Sequence, residues 1–157
     1  MKNLFIVLVV FLMTTGITAQ EKNSEKEAIK KVISEATEAY RAKNFNKIAT
    51  AYVHDNSLIK TTASLQGHSE VYGWKEVSEN YKNFFKNNPD PVTGKYEKVN
   101  FKIKVYGESA WSIHDEVFTD PEGMTSKQVI THFLEKHDGQ WKIVYMANIR
   151  ALTWDVQ

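Results

Sequence analysis

The sequence contains no cysteine, which excludes disulfide bonds and also a lipid-bearing thioether near the amino terminus. Stability must therefore come from a hydrophobic core. The chain has 157 residues, a length that can bury the core of a single domain.

The sequence also lacks an excess of either charge and several familiar catalytic motifs. It has 20 basic and 19 acidic residues without a basic stripe, so we predict no nucleic-acid partner. Phosphate-binding loops, GxSxG, Cys–His pairs and HExxH are all missing, which leaves nucleotide hydrolysis, serine or cysteine hydrolysis and zinc proteolysis without support. The sequence predicts neither a cofactor nor a metal site.

The one long apolar run, residues 4–13, is about half the length that a membrane-spanning helix needs. Lys2 precedes it and a stretch of small residues ending at Ala19 follows, which is the layout of a secretory signal peptide. We predict cleavage after Ala19, a short polar lead over 20–23, and one domain over 24–157. The mature protein is then periplasmic or secreted and free of the membrane; an uncleaved anchor is the alternative.

The spacing of apolar residues predicts helices first and strands afterwards. A capping box at Ser24–Glu27 opens a helix to about Lys43, a shorter helix runs over 45–53, and an aromatic-faced helix begins at Gly73. Alternation with a period of two predicts strands over 58–62, 99–105, 110–119, 126–136 and 140–152, whereas 63–71 shows no clear pattern. Short turns join the last four strands, so we predict an α+β domain with a mainly antiparallel sheet.

Asp138-Gly139 predicts a two-residue hairpin turn, which sets the register of the last two strands. In that register His132 lies opposite Tyr145. The face turned away from the helices is apolar, and we expect it to form a homodimer interface. Its predicted members are Val129, Phe133, Val144 and Met146. The alternative is that the tail, residues 151–157, folds back over this face.

Over residues 24–150 the pattern resembles the nuclear-transport-factor-2-like superfamily, in particular its SnoaL-like and ketosteroid-isomerase-like branch. The resemblance rests on the element order and on three local signatures. These are Asn44-Phe45-Asn46 before a helix ending near Tyr52 and Asp55, Gly73-Trp74, and the segment DGQWKI at 138–143. It implies a cone: a strongly curved sheet, three helices closing its concave face, and a pocket at the open end. Similar proteins include isomerases, dehydratases, cyclases and pure binding proteins, and their catalytic motifs have no residue-by-residue match here.

Four side chains are the candidates for acid–base chemistry. His132 beside Tyr145 could form a proton donor and acceptor pair, or simply a buried hydrogen-bonded pair. Alternation sends His114 and Glu116 to one face, the same as His132 if the strand register is even, and a carboxylate near an imidazole can act as a general base. If the register is odd, Asp115 is the fallback; if the strand is exposed, these residues are merely solvated.

Aromatic residues on the inner stripes of the helices are candidate ligand contacts, although rings at this spacing are more often core. They are Tyr40, Tyr52, Trp74, Tyr81 and Phe84. Three hypotheses follow. The first is an exported pocket protein that binds a small, mostly apolar molecule without turnover. The second is a cofactor-independent acid–base enzyme of the isomerase, dehydratase or cyclase type. The third is an assembly module that uses the outer sheet face.

Overall fold

The computed structural model describes the backbone of residues 2–150 and the side chains of Gln20 and residues 22–150. The side chains of the predicted signal peptide and the whole of the predicted covering tail, 151–157, lie outside the described residues. Within the described part, no helix has the length and apolarity needed to cross a membrane.

Over residues 2–150, the structure has three helices and six strands. The helices are α1 (Lys2–Arg41), α2 (Phe45–Ala49) and α3 (Gly73–Asn87); the strands are β1 (Ile59–Ser64), β2 (Gly67–Tyr72), β3 (Lys95–Tyr106), β4 (Ser109–Thr119), β5 (Thr125–His137) and β6 (Gln140–Arg150). The predicted start of the first helix at Ser24 is wrong, because α1 passes through this residue without a break. Residues 20–41 contain neither glycine nor proline, so nothing there interrupts helical hydrogen bonding.

All six strands belong to one open sheet with the order β2-β1-β6-β5-β4-β3. Every pairing is antiparallel except that of β1 with β6, which is parallel. The prediction of an α+β cone with a mainly antiparallel sheet is therefore confirmed. Strand β2 was not predicted, and its burial pattern explains why: five of its six residues are exposed, so it carries little apolar alternation.

A bulge in β3 reverses the direction of its side chains midway. The register with β4 shifts between Val99 and Lys102, and Asn100 adopts a left-handed conformation with φ of 59°. Because one extra residue turns every later side chain to the other face, Lys98 points inward before the bulge and Phe101 points inward after it. Val99, which alternation placed with the core, is 42% exposed.

A second bulge, in β6, corrects the predicted hairpin register. Leu134 pairs with Ile143 as predicted, but beyond this point Phe133 pairs with Tyr145 and His132 with Met146. The predicted pairing of His132 with Tyr145 is wrong because Val144 is an extra residue in β6. Tyr145 packs against Phe133 on the convex face, with ring centroids 6.1 Å apart. Met146, predicted for the outer face, instead turns toward the helices.

The core lies between the helices and the concave face of the sheet. Its fully buried aliphatic side chains come from the three helices, from the residue that precedes β1, and from β5 and β6. They are Ile29, Ile33, Ile48, Leu58, Val77, Leu134 and Ile143. At one end Glu25 of α1 accepts hydrogen bonds from the Trp141 indole, at 2.6 Å, and from Lys136, at 2.5 Å. This contact anchors α1 to the β5–β6 hairpin. Away from this end the helices and the sheet leave room for a cavity.

Candidate functional site

A cavity of about 480 Å³ lies between the concave face and the helices. Its apolar lining includes Ile33, Ile48, Ile130 and Met146 together with four tyrosine rings, and its polar lining includes Lys60, Thr62, Glu116, Gln128, His132, Asn148 and Arg150. Exposed residues of the β1–β2 turn, Leu65 and Gln66, lie at the rim. A volume of this size suits a small organic molecule.

Two buried tyrosines form the aromatic end of the cavity. The hydroxyl oxygens of Tyr52 and Tyr81 are 3.0 Å apart, and the Tyr52 hydroxyl donates to the Met146 sulfur at 3.5 Å. Burial raises the pKa of Tyr52 well above its ordinary value and raises the pKa of Tyr81 to about 12. Both phenols therefore stay protonated at neutral pH and offer neutral rings to a ligand.

Three of the five predicted ligand-binding aromatic residues line the cavity: Tyr40, Tyr52 and Tyr81. The other two lie elsewhere in the fold. Trp74 stacks on His54, with ring centroids 4.1 Å apart, and packs against Phe45 and Tyr52. Phe84 is partly exposed and stacks on the outer side of Tyr40, at 5.6 Å between centroids.

Glu116 is the one carboxylate among the described cavity-lining residues, and it is already neutralised. It is 4% exposed and lies 3.4 Å from the ammonium group of Lys98. Gln128 donates to its other oxygen at 2.6 Å, and the hydroxyl of Thr37 donates at 3.5 Å. The inward direction of Lys98 that the β3 bulge imposes is what makes this ion pair possible.

His114 and His132 are stacked on the concave face, as an even register between β4 and β5 requires. Their rings are nearly parallel with centroids 5.7 Å apart, and Phe101 covers the other side of His114 at 4.4 Å. Both nitrogens of His114 and the Nδ1 of His132 are buried without a hydrogen-bond partner. Only His132 reaches the cavity; His114 lies behind it.

Burial lowers the pKa of both imidazoles because a charged ring loses its hydration there. The pKa falls to about 4 for His114 and to about 3 for His132, with the positive charge of Lys98 adding to both effects. The two rings are therefore neutral at pH 7 and are weak bases.

The structure separates the other two acid–base candidates from the cavity. Tyr145 is absent from the lining and lies on the convex face. Asp115, the fallback, also faces outward, where it contacts Lys127 at 2.8 Å and Asn100 at 2.7 Å. These two hydrogen bonds, the one from Lys127 first, lower the pKa of Asp115. The concave face thus brings together His114, Glu116 and His132 only.

The polar residues of the site that were not predicted include Lys60, Lys98, Asn148 and Arg150. Lys60 could have been found, since it is two residues after the fully buried Leu58 and alternation sends both to one face. The other three depend on the two bulges, for which the sequence offers only Asn100, a residue type that tolerates the left-handed conformation. In the described part of the chain, no group of three or more His, Asp or Glu side chains is arranged to hold a metal ion.

The open cone with its cavity defines an α+β fold of the NTF2-like type, and comparisons with known proteins agree. A family model for the SnoaL-like domain matches residues 29–148. The chain therefore belongs to the SnoaL-like family, whose fold serves ligand-binding proteins and cofactor-independent enzymes. No curated protein sequence matches the chain.

Solved structures share the fold at low sequence identity. An NTF2-like protein of unknown function from Shewanella oneidensis aligns with a TM-score of 0.62 and 18% identity, over 80% of this chain and 98% of its own. A second one, from Pseudomonas putida, has a TM-score of 0.66 and 14% identity, over 86% and 92%. A candidate dehydratase of the NTF2-like family from Streptomyces avermitilis has a TM-score of 0.67 and 13% identity, over 84% and 99%.

Proposed function

We propose that this protein is an exported binding protein that holds a small, mostly apolar molecule in its cavity without converting it. The observation that carries the proposal is the cavity of about 480 Å³ lined by Tyr40, Tyr52, Tyr81 and Met146. Buried apolar and aromatic surface supplies most of the affinity for a small ligand, and a few polar groups orient it.

The state of the imidazoles favours binding over turnover. A general base works best when its pKa lies near the working pH. The pKa of His132, lowered to about 3, is far below that range, and His114 does not reach the cavity. The cavity-lining carboxylate, Glu116, is held in an ion pair with Lys98.

A pair of neighbouring substitutions tests the binding site. Thr62 lines the cavity, whereas Thr61 on the same strand points the other way. We expect Thr62→Trp to fill the cavity and to weaken binding of the neutral fluorescent probe N-phenylnaphthylamine by at least about tenfold, since the probe loses most of its apolar contact. Fluorescence titration measures the dissociation constant.

Thr61→Trp is the matched control and should leave the probe affinity within about twofold of the parent protein. Circular dichroism checks that both variants are folded. Equal binding by all three proteins, or no binding by the parent protein, would refute the cavity as a ligand site.

Acid–base catalysis is the second candidate function, and Glu116 favours it. This carboxylate is on the cavity wall and is surrounded by groups that fix its orientation. A reaction would then use Glu116, with His132 elsewhere on the same cavity wall, and Tyr145 would take no part. Conversion of a molecule that co-purifies with the protein, abolished by Glu116→Gln, would favour this function over simple binding.

Export and self-association complete the proposal. The convex face carries partly exposed apolar side chains, Phe133 at 48% and Ile149 at 51%, next to Val129 and Tyr145, which supports a homodimer through this face. We expect a native mass spectrum of protein from the periplasm or medium to show a dimer whose chains begin at Gln20. A monomer, or chains that still begin at Met1, would contradict the corresponding part of the proposal.

A further inference from the structure

Two cations line the cavity without an anionic partner among the described residues. Lys60 of β1 and Arg150 of β6 both contribute to the lining, and neither forms an ion pair with another described residue. Since Glu116 is neutralised by Lys98, the described wall of the cavity carries an uncompensated positive charge. A third cation at the mouth, Lys127, is already paired with a carboxylate on the convex face.

The surroundings of Lys60 make its lack of a partner costly. Its ammonium group lies 4.0 Å from the ring centroid of Tyr81 and is partly buried. Loss of hydration and, to a smaller extent, the charge of Arg150 lower the pKa of Lys60. Two like charges in a partly desolvated cavity repel each other, and an anion bound near them relieves both effects.

Next to Lys60, the same wall offers one buried hydrogen-bond acceptor, which a donor group of the ligand or a water molecule can satisfy. Asn148 pairs with Thr62 across the parallel β1–β6 junction, and the Oδ1 atom of Asn148 is buried without a partner. Burying such an atom is unfavourable unless a ligand or water molecule bonds to it. The apolar surface of Tyr52, Tyr81 and Met146 lies at the inner end of the cavity.

We propose that the ligand is a small organic anion: its acidic group contacts Lys60 in the field of Arg150, and its flat apolar body lies against Tyr52 and Tyr81. This inference rests on the proposed binding function and adds the charge of the ligand. Recognition depends on a charge-assisted hydrogen bond, which is roughly twice as strong as a neutral one.

Two dyes of nearly the same shape isolate the contribution of the charge. Anilinonaphthalene sulfonate is an anion, and N-phenylnaphthylamine is the same fused-ring amine without the sulfonate. We expect Lys60→Met to weaken binding of the anionic dye by about tenfold, the loss of one charge-assisted contact. Binding of the neutral dye should change by less than about threefold, because methionine keeps the apolar stem.

Matched variants control for net charge and for the location of the dye. Lys102→Met removes one positive charge from an exposed position of β3 and should leave both affinities unchanged. Lys60→Arg keeps the charge and should retain most of the affinity for the anionic dye. Thr62→Trp should weaken binding of both dyes by at least about tenfold, which shows that they occupy the cavity and not the convex face.

The outcomes separate this inference from the proposed function. If the neutral dye binds in the cavity but Lys60→Met weakens both dyes equally, the preference for an anion is refuted and the binding function stands. If Lys102→Met weakens the anionic dye as much as Lys60→Met does, the effect is one of net charge and the inference fails. If neither dye binds the parent protein, or if Thr62→Trp changes neither, both proposals fail.

Discussion

Between about pH 7.5 and pH 5, we expect the free energy of unfolding to fall by about 4 kcal/mol because of His114 and His132. One pKa unit corresponds to about 1.4 kcal/mol, and each ring resists protonation in the folded state. The pKa of an unfolded histidine is about 6.5, whereas burial lowers the folded values to about 4 and about 3. At pH 5 each ring is thus protonated only in the unfolded chain, which lowers the free energy of unfolding by about 2 kcal/mol for each ring.

The sign follows from proton uptake. Below pH 6.5 the unfolded state binds more protons than the folded state, so stability is fully present above this pH and is lost as the pH falls. The loss from His114 ends near pH 4 and that from His132 near pH 3. Urea unfolding followed by tryptophan fluorescence at several pH values measures this loss of stability.

Substitution of one ring tests the assignment. His114→Phe replaces the ring that stacks between Phe101 and His132 with one of similar shape, and it should remove about half of the pH dependence between pH 6.5 and pH 5. His68→Gln, at an exposed position of β2, should leave the dependence unchanged. A parent protein with equal stability at pH 7.5 and pH 5 would show that these imidazoles are not buried as neutral groups.

Lys98→Met is expected to lower the free energy of unfolding at pH 8 by about 3 kcal/mol. The Lys98 and Glu116 side chains are 11% and 4% exposed, and removal of one partner leaves the other charge buried without compensation. Gln128 and Thr37 still bond to Glu116, which keeps the effect at the lower end of the usual range. The measurement is made at pH 8, where both imidazoles are neutral in either state.

The double variant Lys98→Met with Glu116→Leu separates a lost ion pair from lost packing. It should recover most of the stability, since neither charge then remains buried. Lys127→Met is the control: it breaks the Lys127–Asp115 ion pair on the other face of β4. Because the Lys127 side chain is 50% exposed, this substitution should lower the free energy of unfolding by less than about 1 kcal/mol. A double variant as unstable as Lys98→Met alone would mean that the loss comes from packing.

The parts of the fold that were predicted correctly are those in which local pattern and tertiary structure agree. Helix α3 and strands β4 and β5 have strong periodicity, and the tight turn at Asp138-Gly139 sets the first pairs of the β5–β6 hairpin. The even register between β4 and β5 then brings His114 and His132 to one face. For these residues the sequence alone was sufficient.

The errors in the direction of the β3 and β6 side chains arise from two single-residue insertions. The bulge near Asn100 turned Lys98 inward and Val99 outward, and the one at Val144 exchanged Tyr145 for Met146 on the concave face. Alternation assumes an uninterrupted strand, so each bulge reverses every assignment beyond it. A bulge bends its strand, so it affects how the sheet packs on the helices, a feature that lies beyond the local pattern of one strand.

The position of β6 in the sheet also determines when this protein can fold. Although β6 is the last of the described strands in chain order, it lies between β1 and β5 and joins the pair β1–β2 to the strands β3–β5. A nascent chain that lacks residues 140–150 therefore has two unconnected pieces of sheet. The complete native sheet therefore cannot form until residues 140–150 are available to pair with both pieces.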